Sequence, residues 1–409
     1  MIFAQFFGND GAQGIIQTVI SIMFIGMIFF YPKMLVSQAT WKLEKDVAEL
    51  QKLTDESVRA LTHKMRRRPD KKFVEDTTAF LDFFAQTPVD LDPNGIITKL
   101  GKTIREQFDS FRAFVEENAD TKDPVERRNL EAALINTTGG YQITKVVRHF
   151  LELVKKYKNP QIALLIQMQI PMIKEVADSV AKSVDNMLNG EPVGDGIGPL
   201  IAAELIDDAK YKKIKGTEVV YSVRNIDGRR VVVVKADGPG AVIGYPGDAL
   251  VPLIKKYKPT RILTVDAAGK LEGERTGAVA EGVGVVMGPI GVVQRYEIED
   301  IATRMHIPID ALIVKMKAEE SMFNMRKEIY DAVPIAVALL KKRLTRIPKG
   351  RTLLVLGVGN TVGVGNNSRE LRETEKLLRK GFKKLAQMDE KQKDKPFWKR
   401  TERSSGVSE

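Results

Sequence analysis

The chain has 409 residues, of which 43% are hydrophobic and 29% charged, and it carries a formal net charge of +11 with no cysteine. A chain of that length and polarity buries real cores, which excludes a disordered polypeptide, and the missing thiols exclude disulfides, thiolate catalysis and cysteine-ligated metals. Three histidines (His63, His149, His306) are too few for a His-rich metal centre, and no zinc-finger, RRM or KH pattern accompanies the basic residues, so no nucleic-acid partner is expected.

In chain order, Ile15 to Tyr31 is apolar apart from Gln17, Thr18, Ser21 and Gly26, and the apolar character reaches from Gly14 to Val36. Such a stretch has the length of a bilayer span. Lys33, Lys42, Lys45, Lys52 and Arg66-Arg67-Arg68 follow it. By the positive-inside rule the sequence predicts a single-pass cell-membrane protein with its N-terminus outside and the bulk of the chain cytosolic. From Trp41 onward, Leu43, Val47, Leu50, Leu53, Val58, Leu61 and Met65 fall near one helical face, as in a stalk or a dimerising seam. The basic residues Arg66 to Arg68, Lys71 and Lys72 read as a solvated run or a contact for acidic headgroups. Further helices are expected over Phe73 to Gln86, Pro93 to Asn118, Asp123 to Ile135, Tyr141 to Tyr157 and Gln161 to Leu188, with Thr137-Thr138-Gly139-Gly140 as an interruption. This helical part is where a protein partner or a second copy would dock.

Beyond Asn189-Gly190 the pattern changes to β-branched runs. Glu218 to Val223 and Arg230 to Ala236 flank Asp227-Gly228 as a hairpin. Strands then read over Arg261 to Val265, Gly282 to Val293 (one or two), Ala311 to Val314 and Thr352 to Leu356. Helices read over Leu250 to Tyr257, Ile298 to Met305 and Ser321 to Leu344, between those strands. The alternation predicts an α/β domain with a mostly parallel sheet in a three-layer, phosphorylase/hydrolase-like arrangement, following an all-α domain and an N-terminal transmembrane helix. The expected division is a short external N-terminus over 1–13, the membrane helix over 14–36, the helical domain over 37–189, the α/β domain over 190–366, and a basic, partly disordered tail over 367–409.

Three stretches are candidates for chemistry. Asp195 stands between Gly194 and Gly196 at the start of the helix-like run Leu200 to Ile206, where small neighbours leave the backbone accessible. Asp266 closes a strand, and Gly357-Val358-Gly359-Asn360 follows the last one, so both belong at the carboxyl edge where α/β sheets bind ligands. The polar connection from Asp266 to Gly277 offers Lys270, Glu272, Glu274 and Arg275 as contacts of a lid, or it is a solvated loop. A nucleotide site lacks the Gly-Lys-Ser/Thr it would need.

Together, Leu356-Gly357-Val358-Gly359-Asn360, Gly194-Asp195-Gly196-Ile197-Gly198-Pro199, Ala202-Ala203-Glu204-Leu205, Ile262 to Ala267 and Ala332-Val333-Pro334 resemble the motifs of hydrogenase maturation endopeptidases and their spore germination protease relatives. Here the first strand of that family comes last, which implies a circular permutation. The resemblance implies Asp195 and Asp266 as the family's acid pair, which in that family engages, together with a His, a divalent metal held by the substrate. That His is absent; Gln294 or Arg295 stands nearest its place. The whole layout also resembles an uncharacterised family of archaeal single-pass membrane proteins. The expectation is therefore a hydrolase, peptidase included, using Asp195 and Asp266, with a non-enzymatic scaffold and a small-ligand sensor as alternatives.

Overall fold

The computed structural model describes residues 11–84, 96–287 and 291–393. Five long helices come first: α1 (Gly11–Met65), α2 (Lys71–Phe84), α3 (Ile96–Asn118), α4 (Pro124–Tyr157) and α5 (Pro160–Asn189). The ends of α4 and α5 are written in sequence. Asp123 and Asn159 cap them by accepting the N–H of Val125 and of Gln161 and Ile162, a proline follows each cap, and Gly190 closes α5 at φ 63°. The apolar stripe of α1 (Leu43, Val47, Leu50, Val58, Leu61, Met65) is buried among the chain's own helices, with Leu130, Leu134, Val147 and Leu151 of α4 and Ile170 and Val184 of α5 in the same cores. The stripe is thus core, and each such fully buried side chain contributes about 1.5–3 kcal/mol. Arg66 is likewise engaged within the chain. Its guanidinium donates to Asn118 O at 3.1 Å and Oδ1 at 2.9 Å, and it lies over the Phe73 ring.

Two expectations for this half are corrected. Residues 14–36 are the front of one helix that runs unbroken to Met65, and among the described residues no helix is long and apolar enough to cross a membrane. The single-pass topology and the outward N-terminus fall with that span. Thr137-Thr138-Gly139-Gly140 does not interrupt a helix either. The threonine hydroxyls donate to the carbonyls of Ala133 and Leu134, four residues back, and α4 continues through them. The expected helix ends at Gln86 and Pro93 lie outside the described residues, as do residues 1–10 and 394–409.

The second half begins with a 3-10 turn, Gly194–Gly196, that feeds α6 (Ile197–Ile206). Then follow β1 (Lys212–Ile214), β2 (Val219–Ile226), β3 (Arg229–Ala236), α7 (Pro246–Tyr257), β4 (Arg261–Gly269), β5 (Val279–Val283), α8 (Val292–Arg304), β6 (Ile309–Met316), α9 (Ala318–Met322), α10 (Lys327–Tyr330), α11 (Ala332–Thr345), β7 (Thr352–Gly357) and α12 (Ser368–Lys393). The β2–β3 turn has both central residues at positive φ, Asp227 at 51° and Gly228 at 76°, as a two-residue hairpin requires.

One seven-stranded sheet results, in the order β1-β2-β3-β7-β4-β6-β5. It is mixed, which corrects the mostly parallel expectation. β3–β7, β7–β4 and β4–β6 run parallel, whereas β1–β2, β2–β3 and β5–β6 run antiparallel. The parallel centre arises from helical crossovers, and the edges arise from the hairpin and from β5, which turns back along β6. Within Gly282 to Val293 the described residues are the end of β5, irregular chain over 284–287 and the start of α8, with 288–290 outside the described residues, and Ser321 to Leu344 is broken into α9, α10 and α11. α6, α11 and α12 cover one face, where Ile197, Ile201, Leu340, Leu371 and Leu378 share a core with Val233, Val265 and Val355. α7 and α8 cover the other, where Leu250, Ile254 and Ile298 meet Val232, Ile262 and Leu354. The tail after residue 366 is thus an ordered helix through Lys393.

Candidate functional site

β7 is the central strand and ends at Gly357, opposite Val265 of β4. β4 runs on to Gly269 paired only with β6, so Asp266 is the first β4 residue past the end of β7. The chain leaving β7 stays against that position, since Val358 N donates to Val265 O at 2.8 Å. α6 enters the same corner from above. A Cβ on Gly198 would stand 2.1 Å from Val358 O and 2.5 Å from Val265 O, so only glycine lets the helix start sit directly on the two strand ends. Gly359, at φ 135°, likewise lies where a Cβ would be 2.0 Å from Asp195 O.

Asp195, on the 3-10 turn, is thereby held over the strand ends. Its Oδ2 accepts the backbone N–H of Asn360 at 2.8 Å, and Asn360 Oδ1 in turn accepts from Val362 N at 2.8 Å. Asp266 is buried, its Oδ1 accepting the N–H of Ala267 at 2.7 Å. Burial raises the pKa of Asp195, against the Asn360 N–H that lowers it. Burial also pushes Asp266 well above the usual carboxylate range, and the nearby Asp195 charge pushes it further. Asp195 is therefore close enough to act on the charge of Asp266, and both acids stand at one end of one sheet. Gly194 packs its backbone against Glu320 O of α9 and donates its N–H to Phe323 O at 3.1 Å.

The candidate lid lies beside this corner. Lys270 Nζ donates to Glu274 O at 3.0 Å, Glu274 pairs with Lys315 of β6, and Glu272 stands 3.9 Å from Lys317. Thr276 donates to the Glu320 carboxylate at 2.8 Å, which links the loop through α9 to Gly194. The Arg275 carbonyl accepts the N–H of Ala278 at 3.2 Å. Gln294 accepts the N–H of Gly247 at 2.8 Å and Arg295 pairs with Glu299 on its own helix, so neither replaces the family's His at the acids. Among the described residues no group of three or more His, Asp or Glu side chains could hold a metal ion. Asp195 and Asp266 are two carboxylates, one short of the three protein ligands of a catalytic zinc site.

Sequence reasoning missed a second buried cluster on the same edge, at the end of β3. Lys235 is fully buried, donating to Ala236 O at 2.8 Å and Asn366 Oδ1 at 2.7 Å. Burial pushes its pKa down to about 7, against the Asp237 and Glu370 charges. Asp237 is bridged by Lys213 at 2.7 Å and by Arg128 of α4 at 3.2 Å. The sequence signal was the lone Lys ending the run Val231 to Val234.

It also missed a cavity of about 360 Å³ between the two halves. α3 and α4 form one wall, Ala241 to Tyr245 and α8 the other, and Asn360 lies at its border. Asn360 thus touches the cavity while its N–H holds Asp195. Glu131 lines the same space, its pKa pushed up to about 7 by burial against the opposing charge of Arg112.

Two family profiles match the chain: "Protein of unknown function (DUF1512) N-terminal domain" over residues 17–190, and "Domain of unknown function (DUF1512) C-terminal" over residues 193–365. No curated protein and no solved structure matches it. With its helical half and its α/β half each matched by one of the two DUF1512 domains, the chain belongs to the DUF1512 family.

Proposed function

We propose that the chain is a hydrolase with Asp195 and Asp266 as its acid pair, and that peptide bonds are its substrate class. The resemblance to permuted maturation endopeptidases and germination proteases motivates the substrate class. The observation that supports the chemistry is a pair of carboxyls at the carboxyl edge of the parallel strands, with the pKa of Asp266 raised by burial and by the Asp195 charge.

Two such groups divide their roles, one retaining a proton and the other ionising. Asp266, in the more strongly raised position, holds the proton. Asp195, whose ionised form the Asn360 N–H favours, is the base. Asp195 takes a proton from water as its oxygen bonds to the carbonyl carbon. Asp266 delivers its proton to the leaving nitrogen as the C–N bond breaks. No step passes through a metal.

The test is incubation of the purified chain with a mixture of unstructured peptides, read by mass spectrometry. Wild type yields fragments, and Asp195→Asn and Asp266→Asn each lose about 100-fold or more of that rate. Intact peptides with wild type, or equal cleavage by the variants, would overturn the proposal. A small-ligand sensor is the second reading, favoured by the cavity that ends at Asn360.

A further inference from the structure

α1 carries a second apolar line besides the one buried in the helical cores. Ile20, Phe24, Met27, Tyr31, Met34 and Trp41 follow one another at alternating steps of four and three residues, with Gln38 in the one polar place. That is the 3.5-residue repeat of a coiled-coil seam, kept over about three heptads, or roughly 32 Å of helix. Each of the six side chains is between 50% and 66% exposed, so the chain itself leaves the seam open. The seam also faces away from the body. Trp41 stands two residues from Ala39 and two from Leu43, about half a turn round the helix from the face that packs with Val147 and Leu151 of α4 and Ala163 of α5. The places flanking the seam hold Ser21, Met23, Phe30, Leu35 and Ser37, and α1 has no charged residue from Gly11 to Pro32.

We propose that this seam joins the chain to a second copy of itself, the α1 of one lying along the α1 of the other as a coiled coil. A seam without charge is self-complementary, because identical copies meet on it with no like-charge pair. Its six side chains from each of two copies bury on the order of 1,200 Å², the size at which stable interfaces begin. The repeat itself selects a helix as the occupant. Lipid would surround a helix on every side and requires no 3.5-residue line, and among the described residues no helix is long and apolar enough to cross a membrane. Asp195 and Asp266 belong to the other half of the chain, so the association stands apart from the proposed cleavage.

The experiment is sedimentation velocity of the purified full chain over a concentration series. Wild type is expected to associate reversibly. Met27→Glu combined with Tyr31→Glu puts charge into the seam and is expected to raise the dissociation constant by about 100-fold or more. Ile22→Glu, at an equally exposed apolar position off the seam, is expected to associate as wild type does. All three substituted residues lie outside the buried cores, so the variants are expected to fold. A monomeric wild type overturns the proposal whether or not a variant folds. So does Ile22→Glu dissociating the chain as fully as the seam variant, which would mean general adhesion of an apolar helix. Phosphatidylcholine vesicles form the last arm, and a wild-type chain that floats with them as a monomer makes lipid the occupant and overturns the proposal.

Discussion

Asp195 Oδ2 and the N–H of Asn360 meet at 2.8 Å although 165 residues separate them in sequence. The contact joins the first turn of the α/β half to the loop after its last strand, and two glycines make it possible. A methyl group at Gly359 would collide with Asp195 O and would occupy a φ of 135° that L-residues rarely adopt. Gly359→Ala is expected to destabilise the chain by about 2–4 kcal/mol. Denaturant unfolding checks this, and a loss below about 0.5 kcal/mol would mean the corner relaxes freely.

The acids and the buried lysine set opposite pH dependences. Asp266 has a raised folded pKa, so the folded state binds more protons than the unfolded one as pH climbs out of the ordinary carboxylate range. Stability falls with rising pH across that window. Asp266→Asn removes the fall while its amide oxygen can still accept from Ala267 N, so this variant is expected to gain on wild type from about pH 4 upward. Melting temperatures of both proteins over an acid-to-neutral series give the difference, and parallel curves would refute the assignment.

For Lys235 the folded pKa is lowered to about 7. Between there and the ordinary lysine range the unfolded state holds the extra proton, so stability rises with pH, by at most roughly 1.4 kcal/mol per pH unit. Lys235→Met, near-isosteric and neutral, is expected to lose this slope. Unfolding free energies of the two proteins at neutral and alkaline pH decide it.

The halves are joined by buried polar contacts as well as by apolar packing. Asn129 of α4 accepts the N–H of Ala241 at 2.9 Å, and Val362 of the site loop is buried in the helical core. Asn129→Ala strands a buried N–H and is expected to lower stability by about 1–3 kcal/mol. A single cooperative transition should persist, because the contact is shared. Two separated transitions in calorimetry would show that the halves are independent.

α12 is part of the α/β core. Leu371 and Leu378 are 3% exposed, and Glu191 is met by Lys380 and Lys384, each at 3.2 Å. Although burial acts to raise it, the Asn324 and Lys380 hydrogen bonds and the Lys384 charge hold the Glu191 pKa below its ordinary value. Leu378→Ala is expected to cost about 2–4 kcal/mol in chemical denaturation, as for other large-to-small core changes. A surface helix would give nearly zero.

Local signals were strong where the chain speaks in short range. The Asp123-Pro124 and Asn159-Pro160 caps, the Asp227-Gly228 turn and the apolar run Leu353 to Leu356 each contain their own cause. The corner of Asp195, Asp266 and Asn360 was also legible, since glycines beside an acid mark close backbone approach. What was not legible depended on partners far away in sequence. The apolar front of α1 has the composition of a span, yet among the described residues no helix is long and apolar enough to cross a membrane. β5 lies antiparallel because of where its loop turns back, and nothing in Val279 to Val283 states that direction. Lys235 became notable only when burial removed its water, which no spacing of residues encodes.

The strand that fills the middle of the sheet is the last to be synthesised. Until residues 352–357 leave the ribosome, β3 and β4 have no common neighbour, and the growing chain carries two half-sheets with facing unpaired edges. Closure of that gap and assembly of the acid corner are then one event, since Val358 to Asn360 follow directly behind β7. A nascent chain halted before this point presents both edges to its neighbours, which makes the order of synthesis itself a hazard for aggregation.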